Sequence, residues 1–259
     1  MTVDTISPSQ RALLLLASVK TQKGKDLHPI FKSLRSHTEI SSEFEQLKFH
    51  AAASLQLQLS QQDDEFSAKD FVPDTRLVAS PYNSVPHLLD LDTLDTQSRL
   101  LALSLSFFTP VRSDYATGDY LESFNWPEVF QLLKALAAAG GHAWKKQSFY
   151  VVSFRSQLQL GVDNDHLHAL DAYSHQEAVS SGGLLKYWFG TKNKNRRNLA
   201  TCIWRNRDDA RLGGRGPWHA KARAAARTMY ESIVFSTMEL VIGDYVDTWD
   251  IREWRDAHL

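Results

Sequence analysis

At 259 residues, 43% hydrophobic and 23% charged, the chain has the make-up of a folded protein long enough for a sizeable core. A formal net charge of −1 excludes nucleic acid as the main partner, because phosphate binding needs a clear positive excess and the basic clusters at 192–197 and 211–227 are offset by acids elsewhere. The single cysteine, Cys202, excludes an intrachain disulfide and a multi-thiolate metal cluster, and the apolar run 12–19 is too short to cross a bilayer and lacks the flanks of a signal peptide. A cytoplasmic protein without a membrane partner is the expectation.

In chain order, Ser7-Pro8-Ser9 opens a helix over residues 10–21, and a second helical pattern from Ser41 carries Phe44, Leu47, Ala51 and Leu55 on one stripe. The polar run 61–68 reads as a linker, so residues 1–70 form a helical N-terminal segment. Residues 77–79 suggest a short strand, stopped by Ser80-Pro81. A helix follows from about Thr96 with Asp95 or Thr96 as its cap, ending before Pro110. The stretch 113–126 is polar-aromatic loop, and residues 127–139 form a helix that opens on proline and stops at Gly140-Gly141. Residues 71–145 are therefore expected as a helical and looped cover.

The remainder, 146–256, is more regular. Residues 148–158 alternate as a strand, and Asp163 or Asn164 caps a helix to Ser181 that Gly182-Gly183 ends. Residues 184–189 and 198–205 then form a hairpin, with Lys186 and Trp188 on one face of the first strand and Leu185, Tyr187 and Phe189 on the other. A flexible connection at 212–216 leads to an Ala- and Arg-rich helix over 217–230, and strands follow at 233–242 and 246–254. The order β-α-β-β-α-β plus one strand is the ferredoxin-like arrangement of the α+β class, whose sheet carries helices on one face only. The bare face must be covered. A second copy of the sheet, as in a dimeric α+β barrel, or the chain's own first half could do so; helical cover together with a homodimer is the expected arrangement.

The runs SHQEAVSSGGLLKYWFG and RNLATCIWRNRDDAR, with GPWH downstream and PYNSVPHLLDLDTLDT and DYATGDYLESFNW upstream, resemble a family of fungal proteins of uncharacterised function over roughly residues 75–255. The C-terminal half resembles the dimeric α+β barrel proteins. That group includes cofactor-free monooxygenases, polyketide cyclases and stress-response proteins, so the resemblance implies a fold more than a reaction.

Three groups of residues bear on chemistry. His168, Asp171 and His175 fall at i, i+3 and i+7 on one helical stripe, where Asp171 is expected to orient His175 as a general base; the plainer alternative is a solvated polar face opposite Leu167, Leu170, Ser174 and Ala178. His219 opens a helix beside Arg215, where backbone N–H groups suit an anionic oxygen; the plainer alternative is helix initiation by Pro217. Tyr187, Arg205, Trp188, Tyr115 and His87 are the candidate substrate contacts, and Arg155, Lys186 and Arg205 are strand charges pointing either inward to a partner or outward as edge protection. No third ligand accompanies the histidines, so no metal is expected, and no GxxxxGK[ST], GxSxG, HExxH or CxxC occurs. With 28 aromatic residues (7 Trp, 8 Tyr, 13 Phe) the chain can line a slot for a flat aromatic or polyketide-like molecule.

Together these features imply a cofactor-independent isomerase or cyclase of small-molecule, secondary metabolism. His175 is the base, and the reaction is a ring closure such as a chalcone-type oxa-Michael addition, in which His219, Tyr187 or Arg205 meets the substrate oxygen. A cofactor-free monooxygenase of aromatic polyketides and a non-catalytic binding protein are the alternatives.

Overall fold

The computed structural model describes residues 76–82 and 84–255. The helices expected at 10–21 and from Ser41, and the linker at 61–68, lie outside the described residues.

Strand β1 (Arg76–Leu77) pairs antiparallel with β2 (Leu89–Asp90) as a small two-stranded ribbon. Asp95 caps helix α1 (Thr96–Ser104) by accepting from the Ser98 backbone N–H at 3.0 Å, and its carboxylate also takes the Ser98 hydroxyl. The loop that follows is pinned by Asn125, which accepts from Thr109 N and donates to Phe107 O. Helix α2 (Trp126–Ala139) then runs to Gly140.

Five antiparallel strands make the main sheet. Strand β3 (Gln147–Leu158) is central, helix α3 (Asn164–Ser181) crosses over, and β4 (Leu184–Phe189) and β5 (Arg197–Trp204) form the expected hairpin. Helices α4 (Arg207–Gly213) and α5 (Pro217–Met229) precede β6 (Tyr230–Ile242) and β7 (Trp249–Glu253). The spatial order β4-β5-β3-β6-β7 is the ferredoxin-like one with β7 added outside β6. Asp163 caps α3 through His166 N, and Gly182, at φ 87°, stops it with a backbone turn that a side chain would strain.

One face of the sheet is closed by the segment 77–145. Phe149 and Val151 of β3, Trp188 of β4, Leu199 and Ile203 of β5 and Leu240 and Ile242 of β6 share one core with the apolar residues of α1, α2 and the loop between them. Phe124 meets Trp188 edge-on at 5.0 Å and Trp126 stacks on Phe130. Arg155 points to this side and donates to the carbonyls of Tyr115 and Gly118, tying the loop to the strand. Lys186 is buried here too, and burial pushes its ammonium pKa well down. The bare face is thus covered from within the chain.

The other face carries α3. Tyr150, Tyr187 and Trp204 pack with Leu184 and Ala178, and Val152, Phe189, Ala200 and Cys202 border them half-buried.

Three local expectations change. Leu185 joins the Trp188 core instead of the Tyr187 face, because a register shift between Leu184 and Lys186 interrupts the alternation. The connection at 212–216 is shortened by a helix at its start: α4 takes in Leu212 and Gly213, and Asn206 caps it by accepting from Asp209 N, with Asp208 and Asp209 in its first turn. The last strand begins at Trp249, since Tyr245 and Val246 sit at φ 57° in a tight turn.

Candidate active site

The polar cluster of the molecule lies where the segment after β1 crosses the edge of β4. The Tyr187 backbone N–H donates to Ala79 O at 2.9 Å, and the chain then turns toward the middle of α3, so that Tyr82 and His87 reach that helix. A short 3-10 turn at Val85–His87, opened by Pro86, fixes His87.

His87 and His175 meet Nδ1 to Nδ1 at 2.8 Å, each 5% exposed, with their rings stacked at 26°. Tyr82 stacks on His87 at 4.6 Å between centroids and tilts against His175, His168 and Phe189. Its hydroxyl donates to Asp171, and the Tyr187 hydroxyl donates to the other carboxylate oxygen at 2.6 Å. Gln176 reaches Nε2 of His87 at 3.2 Å, so adjacent residues of α3 grip both ends of one imidazole.

These contacts set protonation. Two Nδ1 atoms at hydrogen-bond distance require one to donate and the other to accept, so the pair is stable with both rings neutral. Burial and the neighbouring His87 hold His175 down to about 3, and burial with the nearby His168 lowers His87. Burial raises the Asp171 carboxyl, against the two tyrosine hydrogen bonds that favour its ionised form. The Tyr187 phenol is pushed well up by burial and by Asp171, and Tyr230 rises to about 12 for the same two reasons. Burial and Asp171 also raise the Cys202 thiol, which makes it an inert packing group.

Beside the cluster, Glu177 of α3 occupies the start of α5. Its carboxylate accepts from Trp218 N at 2.7 Å, His219 N at 3.1 Å and His219 Nδ1 at 2.9 Å. These contacts outweigh the burial that raises it and leave the carboxyl below its ordinary range. A Cβ at Gly216 would meet that carboxylate and push it off these hydrogen bonds.

The profile of the PB2B2.08-like family matches residues 78–253. The chain belongs to this family. The UPF0643 protein PB2B2.08 of Schizosaccharomyces pombe is 37% identical over 181 residues, which span 65% of this chain and 80% of the yeast protein. Among solved structures, SnoaB, a cofactor-independent oxygenase from Streptomyces nogalater, overlaps 35% of this chain and 90% of its own, at 11% identity and a TM-score of 0.29. A putative antibiotic biosynthesis monooxygenase from Nitrosomonas europaea overlaps 37% and 88%, at 10% and 0.30. One from Chloroflexus aurantiacus overlaps 42% and 96%, at 17% and 0.29. Overlaps this loose carry no argument about chemistry.

All of the cluster, from Tyr82 to Tyr187, falls inside the segment that defines the PB2B2.08-like family. Of the residues singled out from sequence, the structure brings together His175, His87, Asp171 and Tyr187. It gives several of the residues partners other than those expected. Asp171 contacts the two tyrosines, and the partner of His175 is His87. The N–H groups beside His219 are already filled by Glu177, which leaves no vacancy for a substrate oxyanion. Arg205 is bound to Asp209 at 2.7 Å beyond the strand end. Trp188 and Tyr115 lie in the core of the opposite face, where the Tyr115 hydroxyl exchanges hydrogen bonds with the Thr191 backbone.

Gln176 and Glu177 were not singled out. Glu177 left a trace in the sequence: α5 opens on Gly216-Pro217, with no capping side chain of its own, so a distant carboxylate had to serve. Gln176 left none. Among the described residues no group of three or more His, Cys, Asp or Glu is placed to hold a metal, and no helix is long and apolar enough to cross a membrane.

Proposed function

We propose that this protein is a cofactor-independent enzyme of small-molecule metabolism that relocates a proton on a phenolic or enolisable substrate, as an isomerase or cyclase. The observation that carries the reading is the buried Nδ1–Nδ1 contact of His87 and His175. Nε2 of His175 has no hydrogen-bond partner among the described residues and is the atom left to a substrate. The Gln176 amide nitrogen stands against Nε2 of His87; turning that amide so that its oxygen accepts from Nε2 of His87 leaves the Nδ1 proton on His175, and Nε2 of His175 is then a base. As it takes a proton from substrate, its Nδ1 proton passes to His87, so charge is spread over two rings. The reverse transfer returns a proton at a second position, as ring closure of a chalcone-type substrate requires. The hydroxyls of Tyr82 and Tyr187 give their protons to Asp171, so one of them becomes a donor for an enone or enolate oxygen when the Asp171 carboxyl is protonated and donates back to it.

Two substitutions test the reading against a panel of phenolic and polyketide-like substrates. His175→Ala removes the atom that meets substrate and should cost about 10²–10⁴-fold in turnover. His87→Phe keeps the stacked ring but removes the relay, and it should lower kcat with KM little changed. Turnover that survives His175→Ala would overturn the assignment. The same base acting on an electron-rich phenol also suits a cofactor-free monooxygenase, and substrate-dependent dioxygen uptake would move the assignment to that reaction.

A further inference from the structure

Where the tip of the β4–β5 hairpin meets the end of β3 and the loop at Thr117, the residues Thr117, Gln157, Asn193, Lys194, Asn195, Arg196 and Arg197 line a cleft of about 320 Å³. Not one of these side chains is apolar. The hairpin tip from Lys192 to Arg197 carries four basic residues and no acid, in a chain whose net charge is −1.

The tip is rigidly built. The Asn193 side chain accepts from the backbone N–H groups of Asn195 and Arg197, and its main chain exchanges hydrogen bonds with Arg196 and Arg197. Arg196 holds φ at 60°, a conformation that non-glycine residues adopt rarely and keep only where their surroundings impose it. Its guanidinium is engaged by the Leu158 carbonyl and the Glu231 carboxylate. Arg196 therefore acts as a strut. Lys194 and Arg197 stand exposed on either side of it, and neither has a carboxylate partner among the described residues. Gln157 and Arg197 are register partners on β3 and β5, so the second cation and an amide rise from one point of the sheet.

We propose that this cleft is an anion site for a small, multiply charged, soluble phosphorylated ligand. Two exposed cations without carboxylate partners, beside amide and hydroxyl groups, suit phosphate oxygens, and the volume exceeds one phosphate group. The lining offers no aromatic ring for a nucleobase and no apolar wall for an acyl chain, which favours a sugar phosphate or polyphosphate over a nucleotide or lipid headgroup.

The test is calorimetric titration of the full chain with inorganic pyrophosphate at low salt. Saturable binding is expected, weakened at least about tenfold in Lys194→Gln/Arg197→Gln and unchanged in Lys221→Gln, whose lysine lies over Trp218 on α5. Matching thermal unfolding of the double variant and the parent excludes a folding defect, since both substituted side chains are exposed. No saturable binding, equal binding by the double variant, or binding of a single-stranded oligonucleotide without pyrophosphate would overturn the proposal.

Discussion

The two faces of the central sheet are closed in opposite ways. On the face under α1 and α2, tryptophan, phenylalanine and leucine share one large buried core with Lys186 enclosed beside it, and polar groups such as Arg155 and Tyr120 tie the cover to the strands. On the face under α3, the apolar patch is smaller, several residues stay half-buried, and a histidine pair, a carboxylate and two phenols are bound to one another. Filling a face with hydrocarbon makes it stable; enclosing neutral imidazoles and a carboxyl makes it costly to form. The first face supplies stability and the second spends some of it.

That contrast can be broken most forcefully on the stable side. Trp188→Ala removes a fully buried indole from contact with Tyr115 and Phe124 and should destabilise by about 3–5 kcal/mol, read as a lower urea midpoint. A loss below about 1 kcal/mol would mean that this face is looser than its contacts indicate.

On the opposite face the sharper probe is pH. His175 is held down to about 3 in the folded protein, so below its ordinary 6.5 the unfolded chain takes up a proton that the folded chain refuses. Stability contributed by this group is therefore present above pH 6.5 and is lost as pH falls toward 3, by about 1.4 kcal/mol per pH unit. His87, also lowered, adds in the same direction. Urea melts between pH 7 and pH 5 should show this slope, and His175→Gln should flatten it. An unchanged slope would mean that another group carries the acid sensitivity.

The smallest effect is expected where a charge serves neither face. Arg205→Ala breaks a partly exposed pair with Asp209 and should shift stability by no more than about 1 kcal/mol, with turnover unaltered. A larger fall in turnover would return Arg205 to the site.

What could be read in advance follows the same divide. The alternation of 148–158, the cap at Asp163, the hairpin glycines and the proline opening α5 are local signals, and together they are enough to order the ferredoxin-like sheet. A one-sided sheet demands a cover, so the sequence points to helical cover together with a homodimer; in the described residues the cover comes from α1, α2 and the loop between them. The histidine stripe on α3 was legible as a stripe, but its partners were not: His87 stands 88 positions from His175, and Tyr82 stands 89 from Asp171. Helical spacing pairs residues three and four apart, which is why Asp171 was matched with His175, its neighbour on the helix, when the fold gives each a different partner. Leu185 was misplaced for a related reason, since a bulge in a strand leaves no mark on its composition.

The crossing of Ala79 over Tyr187 has a consequence for descent. Tyr82 and His87 belong to a stretch that precedes the ferredoxin-like unit, while Asp171, His175, Gln176 and Tyr187 belong to the unit itself. A gene fragment encoding only the sheet and its helices would deliver one imidazole of the pair and one of the two phenols. Recombination at the point where the architecture looks most divisible would therefore cut through the polar cluster.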